Sequence, residues 1–260
     1  MRHDLHHGIF LREGGAGRGA RTILWIHGLG ESALGFEKIL DRPDLAAWRH
    51  LAPDIPGYGR TAWPLAPLPL AEQADLMADL CSDLGTGPVI VAGHSMGGVV
   101  ALLMAERHPS LVHGVVDIDG NKSPDDCTFS SQAADQDLMG FIEGGFDTLR
   151  DKVYSAGVEE KAQRGYHASL CQADPATFHL NSTELVSMSE KRDMATRLAA
   201  LKVPRVYIAG APGGASEETR RLLEEARVTT LAITPAGHWP FLDQPEDFTA
   251  ALLSYLREVG

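Results

Sequence analysis

The stretch that most constrains this chain runs from Val89 to Arg107. A short β-branched run, Val89–Ala92, leads without a linker into Gly93-His94-Ser95-Met96-Gly97-Gly98, and helical sequence from Gly97 to Arg107 follows, ending near Pro109. Runs of this kind are buried on both faces of a parallel sheet. A residue at so sharp a strand-to-helix turn is lifted out at the carboxyl edge of the sheet. The turn crowds the positions two before and two after it, so only small side chains fit there. Ser95 is therefore a candidate nucleophile.

The rest of the chain extends the alternation. Ala20–Ile26, Arg49–Ile55 and Val112–Ile118 read as strands, and Leu70–Leu84 reads as a helix, with Leu70, Ala74, Met77, Leu80, Cys81 and Leu84 at spacings of three and four. Strand, helix, strand, helix specifies a parallel α/β sheet with crossover helices. From 121 to 201 the sequence turns polar, with helical stretches and no convincing strand. The alternation then resumes with strand Val203–Ala209, helix Glu217–Ala226, strand Val228–Ile233 and a helix from about Pro245 to Val259. This predicts a core domain made of 1–120 and 202–260 and a helical cap, or lid, over 121–201. Gly14, Gly15, Gly17 and Gly19 predict a mobile hairpin turn, and His3, His6 and His7, which could bind a metal, are expected instead to form a flexible polar terminus.

With 23 Lys+Arg against 35 Asp+Glu, the net charge of −12 repels phosphate backbones and anionic membrane surfaces. Nucleic acid and membrane are thus excluded as expected partners, leaving a small-molecule substrate. Cys81, Cys127 and Cys171 lie far apart and are odd in number, which writes neither a disulfide framework nor a metal knuckle. The first residues lack the apolar core of a signal peptide, and no run reaches the ~18 apolar residues of a membrane span. A cytoplasmic protein is expected, with no cofactor and no metal; its oligomeric state is left open.

Two further motifs join Ser95. His238, in Pro235-Ala236-Gly237-His238-Trp239-Pro240, follows the last expected strand at the same carboxyl edge. A serine hydroxyl needs such an imidazole to take and return its proton. Trp25-Ile26-His27-Gly28-Leu29-Gly30 ends the first long strand; there the backbone N–H groups of Leu29 and Met96 are the expected donors to an oxyanion. His27 is expected to hold the loop.

In these three motifs the chain resembles the α/β-hydrolase superfamily, from about Gly8 to Val259. The resemblance implies an α/β-hydrolase fold: an eight-stranded, mostly parallel sheet flanked by helices, with a helical cap inserted after the sixth strand. It also implies a triad of Ser95, His238 and an acid. Many members carry that acid after the seventh strand in a Gly-x-x-Asp pattern, where this chain has Gly210-Ala211-Pro212-Gly213-Gly214. Some relatives place it at the tip of the sixth strand, which points to Asp119, with Glu217 and Asp117 as alternatives.

A serine nucleophile points to acyl chemistry, and the leading expectation is hydrolysis of a small carboxylic ester, thioester or lactone through an acyl-enzyme. The same triad serves C–C bond hydrolysis and cofactor-free lyase reactions in relatives, and a ligand receptor with a vestigial site is a further alternative. Gly28-Leu29-Gly30-Glu31-Ser32-Ala33 with Asp54 also fits a loose dinucleotide fingerprint, but that reading explains neither Ser95 nor His238. Phe129, Met139, Phe141, Ile142, Phe146, Tyr154, Tyr166 and Met188 are possible pocket walls.

Overall fold

In a computed structural model that describes residues 1–259, the strands are β1 (Arg2–His6), β2 (Ile9–Gly15), β3 (Thr22–Ile26), β4 (Arg49–Pro53), β5 (Val89–His94), β6 (Val112–Ile118), β7 (Arg205–Gly213) and β8 (Thr230–Gly237). Gly260, the last residue of the expected core segment 202–260, lies outside the described residues. One sheet holds all eight strands, in the order β1-β2-β4-β3-β5-β6-β7-β8. Neighbours from β4 to β8 are parallel, and β2 runs antiparallel to β1 and β4. Strands β3, β4 and β5 are buried at every position, which is why Ile23–Ile26 and Val89–Ala92 read as continuous apolar runs.

The longer helices are α1 (Leu70–Asp83), α2 (Met96–Arg107), α3 (Phe146–Ala156), α4 (Lys161–Leu170), α5 (Pro175–Glu190), α6 (Glu217–Glu225) and α7 (Pro245–Val259). The apolar face read for α1 is the one it buries, through Leu70, Ala74, Met77, Leu80 and Cys81. Between β6 and β7 the described residues form helices and turns and no strand. There α5 starts at Pro175, capped by the Asp174 carboxylate, which accepts from the N–H groups of Ala176 and Thr177. Phe141, Phe146 and Phe178 pack together with ring centroids 5.6–5.8 Å apart.

Two expectations are corrected. The amino-terminal histidines are not a free tail, because Arg2–His6 pairs along β2. Nor do the glycines after Glu13 make a hairpin: β2 pairs with β4, so the chain from Gly15 to Thr22 passes beyond β4 to reach β3. Gly15 takes a left-handed φ of 65°, and a Cβ there would strike the carbonyl of Trp48. Strands β7 and β8 also run further than expected, to Gly213 and Gly237, because each completes the other's ladder past the glycines and prolines that read as breakers.

Candidate active site

Ser95 joins β5 to α2 with φ 53° and ψ −119°, a conformation an L-residue holds only where its surroundings enforce it. The enforcement is visible. The Ser95 N–H donates to Ile118 O at 2.9 Å, a Cβ at Gly93 would strike the Gly97 carbonyl, and one at Gly97 would strike that of Ile26. Ser95 is half-buried and lines a cavity of about 20 Å³ with Leu29, Glu31, Asn121, Tyr166, His238 and Trp239. That volume holds about one water molecule. Met96, the first residue of α2, is wholly buried. No described backbone acceptor outside regular helices and strands takes the N–H of Leu29 or Met96.

His27 holds its loop as expected. Its Nδ1 donates to Gly28 O at 2.9 Å and its Nε2 accepts from Ile55 N–H at 3.0 Å, and burial lowers its pKa. Asp54, the acid of the dinucleotide fingerprint, is fully buried and committed elsewhere, accepting from Ala33 N at 2.7 Å, Arg60 N at 2.8 Å and Arg12 at 3.1 Å.

His238 is half-buried at the cavity, its ring 4.7 Å from that of His94 and 5.3 Å from that of Trp239. Burial first, and His94 second, lower its pKa to about 3, so the imidazole is neutral in this arrangement.

Asp119 lies at the end of β6 with φ 45°; its oxygens accept from Gly210 N at 2.9 Å and Ala215 N at 2.8 Å. A side chain at Gly214 would strike this carboxylate, so that position is left to glycine. The structure brings Asp119 beside the segment that carries His238: Gly210 faces both its carboxylate and the carbonyl of Gly237. Among the described residues, however, the His238 ring makes no hydrogen bond to it. Burial raises the pKa of Asp119 to about 8 against the pull of those two N–H groups. Of the alternatives, Asp117 is turned away, 2.7 Å from the wholly buried Lys122 ammonium, and Glu217 is exposed in the first turn of α6. Among the expected pocket walls, Phe129 and Tyr166 reach the cavity, whereas Phe141 and Phe146 are buried in the aromatic cluster and Met139, Ile142 and Tyr154 are exposed.

Sequence reasoning missed Glu31. This buried carboxylate accepts from Gly28 N at 2.9 Å, from Trp239 Nε1 at 2.7 Å and from His94 Nδ1 at 2.9 Å. His94 Nε2 in turn donates to the His238 carbonyl at 2.7 Å. Both ring nitrogens of His94 face acceptors, so the ring is an imidazolium. Burial opposes that charge, yet the Glu31 charge and hydrogen bond raise the pKa of His94. For Glu31, burial pushes up, and His94 and the other donors overcome it, bringing the value down to about 2. One carboxylate thus ties the loop after β3, the turn after β5 and the loop after β8.

Residues 23–252 match the pattern of the Alpha/beta hydrolase family. The chain belongs to that family. It is 28% identical over 256 residues to the pimeloyl-(acyl-carrier protein) methyl ester esterase of Edwardsiella ictaluri, covering 92% of this chain and 94% of that one. It is also 28% identical to an sn-1-specific diacylglycerol lipase of Mus musculus, over 90% of this chain and 80% of the lipase. Among solved structures, the enol-lactonase from Burkholderia xenovorans LB400 superposes with a TM-score of 0.78 at 19% identity, covering 98% of this chain and 100% of that one; at such identity the likeness shows the fold. The family is one of hydrolases, and esterases and lactonases are among the proteins this chain resembles. No described helix is long and apolar enough to cross a membrane.

Proposed function

We propose that this hydrolase cleaves a small carboxylic ester, thioester or lactone through an acyl-enzyme on Ser95. The observation that carries the reading is the meeting of Ser95, held at its left-handed turn, with His238 and Leu29 at one cavity. In this reading the Ser95 hydroxyl loses its proton to His238 as Oγ attacks the substrate carbonyl. The N–H groups of Leu29 and Met96 stabilise the oxyanion, and the proton passes to the departing alcohol, thiol or lactone oxygen. Water then adds to the acyl carbonyl, returns its proton through His238 to Ser95, and releases the acid. Asp119 is the acid that orients His238; its tip position beside Gly237 supports the role, which requires the imidazole to turn toward it.

Residues 121–201 act as the lid. Two buried groups, the Tyr166 hydroxyl and the side-chain Oδ1 of Asn121, border the cavity without a hydrogen-bond partner, and buried polar groups left so call for one; in this reading the substrate supplies it. In this reading the segment shifts to widen the cavity, about 20 Å³ here, as substrate enters. The three unpaired cysteines support a reducing, cytoplasmic setting.

A fluorophosphonate tests the nucleophile. It is expected to add one adduct mass to the native chain and none to Ser95→Ala, while the native chain turns over p-nitrophenyl esters or lactones. Labelling that persists in Ser95→Ala would overturn the assignment, and stoichiometric labelling without turnover would favour a receptor.

A further inference from the structure

His6 ends β1 and His7 turns the chain toward β2, and the fold sets both against Asp83, the last residue of α1. One ligand-capable atom from each of the three lies within 4.8 Å of the others. The His7 Nε2 is 3.6 Å from an Asp83 oxygen, and the two imidazole centroids are 4.4 Å apart.

Two features of this corner are unfavourable without a cation. His6 Nε2 is buried and has no hydrogen-bond partner, a state that costs roughly 1–3 kcal/mol. His7 and Gly8 form the two-residue hairpin turn between β1 and β2, which sets His7 at φ 48° and places its ring beside that of His6. Asp83 puts a carboxylate at the negative end of a helix dipole, one turn beyond Asp79 and with no basic residue in the last helical turn to offset it. Among the described residues its one ion-pair partner is His7.

We propose that His6, His7 and Asp83 form a binding site for a divalent transition-metal ion of the zinc, nickel and copper group, with water filling the remaining positions. Two imidazole nitrogens and one carboxylate oxygen suit such ions, whereas magnesium and calcium favour all-oxygen sets. The three residues line an apolar groove of about 380 Å³ with Trp63, Pro64, Leu76 and Leu80, and the exposed side chains of His7 and Asp83 leave the ion open to water on its other side. The inference stands apart from the hydrolase reading, since none of its residues lines the Ser95 cavity.

The test is titration of tag-free native chain with zinc by calorimetry, and with cobalt(II) by visible absorption, beside His6→Ala, His7→Gln, Asp83→Asn and His3→Ala. The native chain is expected to bind one equivalent. Loss of a supporting contact to a metal ligand alone costs about 10–100-fold in affinity, so each of the first three variants is expected to lose at least roughly tenfold. His3→Ala, whose ring packs on Phe10 at 5.6 Å, should bind as the native chain does. Far-UV circular dichroism confirms that each variant is folded, and Asp83→Asn decides the matter if His6→Ala is not. No binding by the native chain, native-like binding by Asp83→Asn, or equal loss in His3→Ala would overturn the site.

Discussion

Two buried carboxylates flank Ser95 at the carboxyl edge of the sheet, and their surroundings treat them oppositely. Glu31, after β3, faces the His94 imidazolium and two N–H donors, which hold it down to about 2. Asp119, at the end of β6, has two backbone N–H groups and no cation in contact, and burial pushes it up to about 8. The difference teaches what each can do. A carboxylate with its own counter-ion is a fixed anion, suited to holding loops together, whereas one held by backbone N–H groups and a cation out of contact gains from a positive charge that appears nearby. An imidazole that becomes charged during turnover is such a charge.

Asp119→Asn sharpens the contrast most. By analogy with the serine-protease case, where the loss is about 10⁴, kcat is expected to fall at least roughly 10²-fold. An asparagine can accept only one of the two N–H groups, so chemical denaturation is expected to show a loss of about 1–3 kcal/mol as well. A variant with native kcat would break the comparison by removing Asp119 from the mechanism.

Glu31→Gln is expected to invert the balance. Removing one partner of a buried pair costs about 3–5 kcal/mol, while kcat falls by less than about 10²-fold, the scale of an ångström misplacement. The sign of its pH dependence follows from the lowered value: the stabilisation is present above the ordinary 4.5 and is lost as pH falls toward 2. Urea midpoints of native and variant chains should therefore converge between those limits. A gap that stays constant there would deny Glu31 its ionic role.

Tyr166→Phe carries the smallest expected effect. Its hydroxyl has no partner to lose, so stability should hold. KM for the best substrate should rise by about 2–12-fold if the hydroxyl donates to it, the range of one ordinary hydrogen bond. An unchanged KM across esters and lactones would remove Tyr166 from substrate recognition.

Much of this was legible in the sequence, and for local reasons. The positions of Ser95, Met96, Leu29 and His238 follow from glycines that must be glycines and from strands whose ends they mark. Asp119 emerged from the absence of an acid at Gly213-Gly214, and at Gly214 the structure supplies a steric reason, since a side chain there would strike the Asp119 carboxylate. Glu31 escaped because two of its partners, His94 and Trp239, lie far along the chain and meet it only in the folded sheet, and in the sequence it stood only as one position of the dinucleotide fingerprint. Trp239 and Asn121 escaped likewise: each sits beside a motif residue but reaches the cavity only through tertiary packing. Strand ends were read too short wherever glycine or proline continued a ladder whose partner strand was unknown.

A side chain shared by three loops also bears on how such a chain can change over generations. Replacing Glu31 leaves the His94 charge unmatched, replacing His94 leaves a bare buried anion, and replacing Trp239 removes a donor from the same carboxylate. Each single step is harmful where a joint step need not be, because residues in one network do not contribute additively. These positions are thus expected to be inherited as a block, together with Tyr166 of segment 121–201, whose ring packs on that of Trp239 at 5.5 Å.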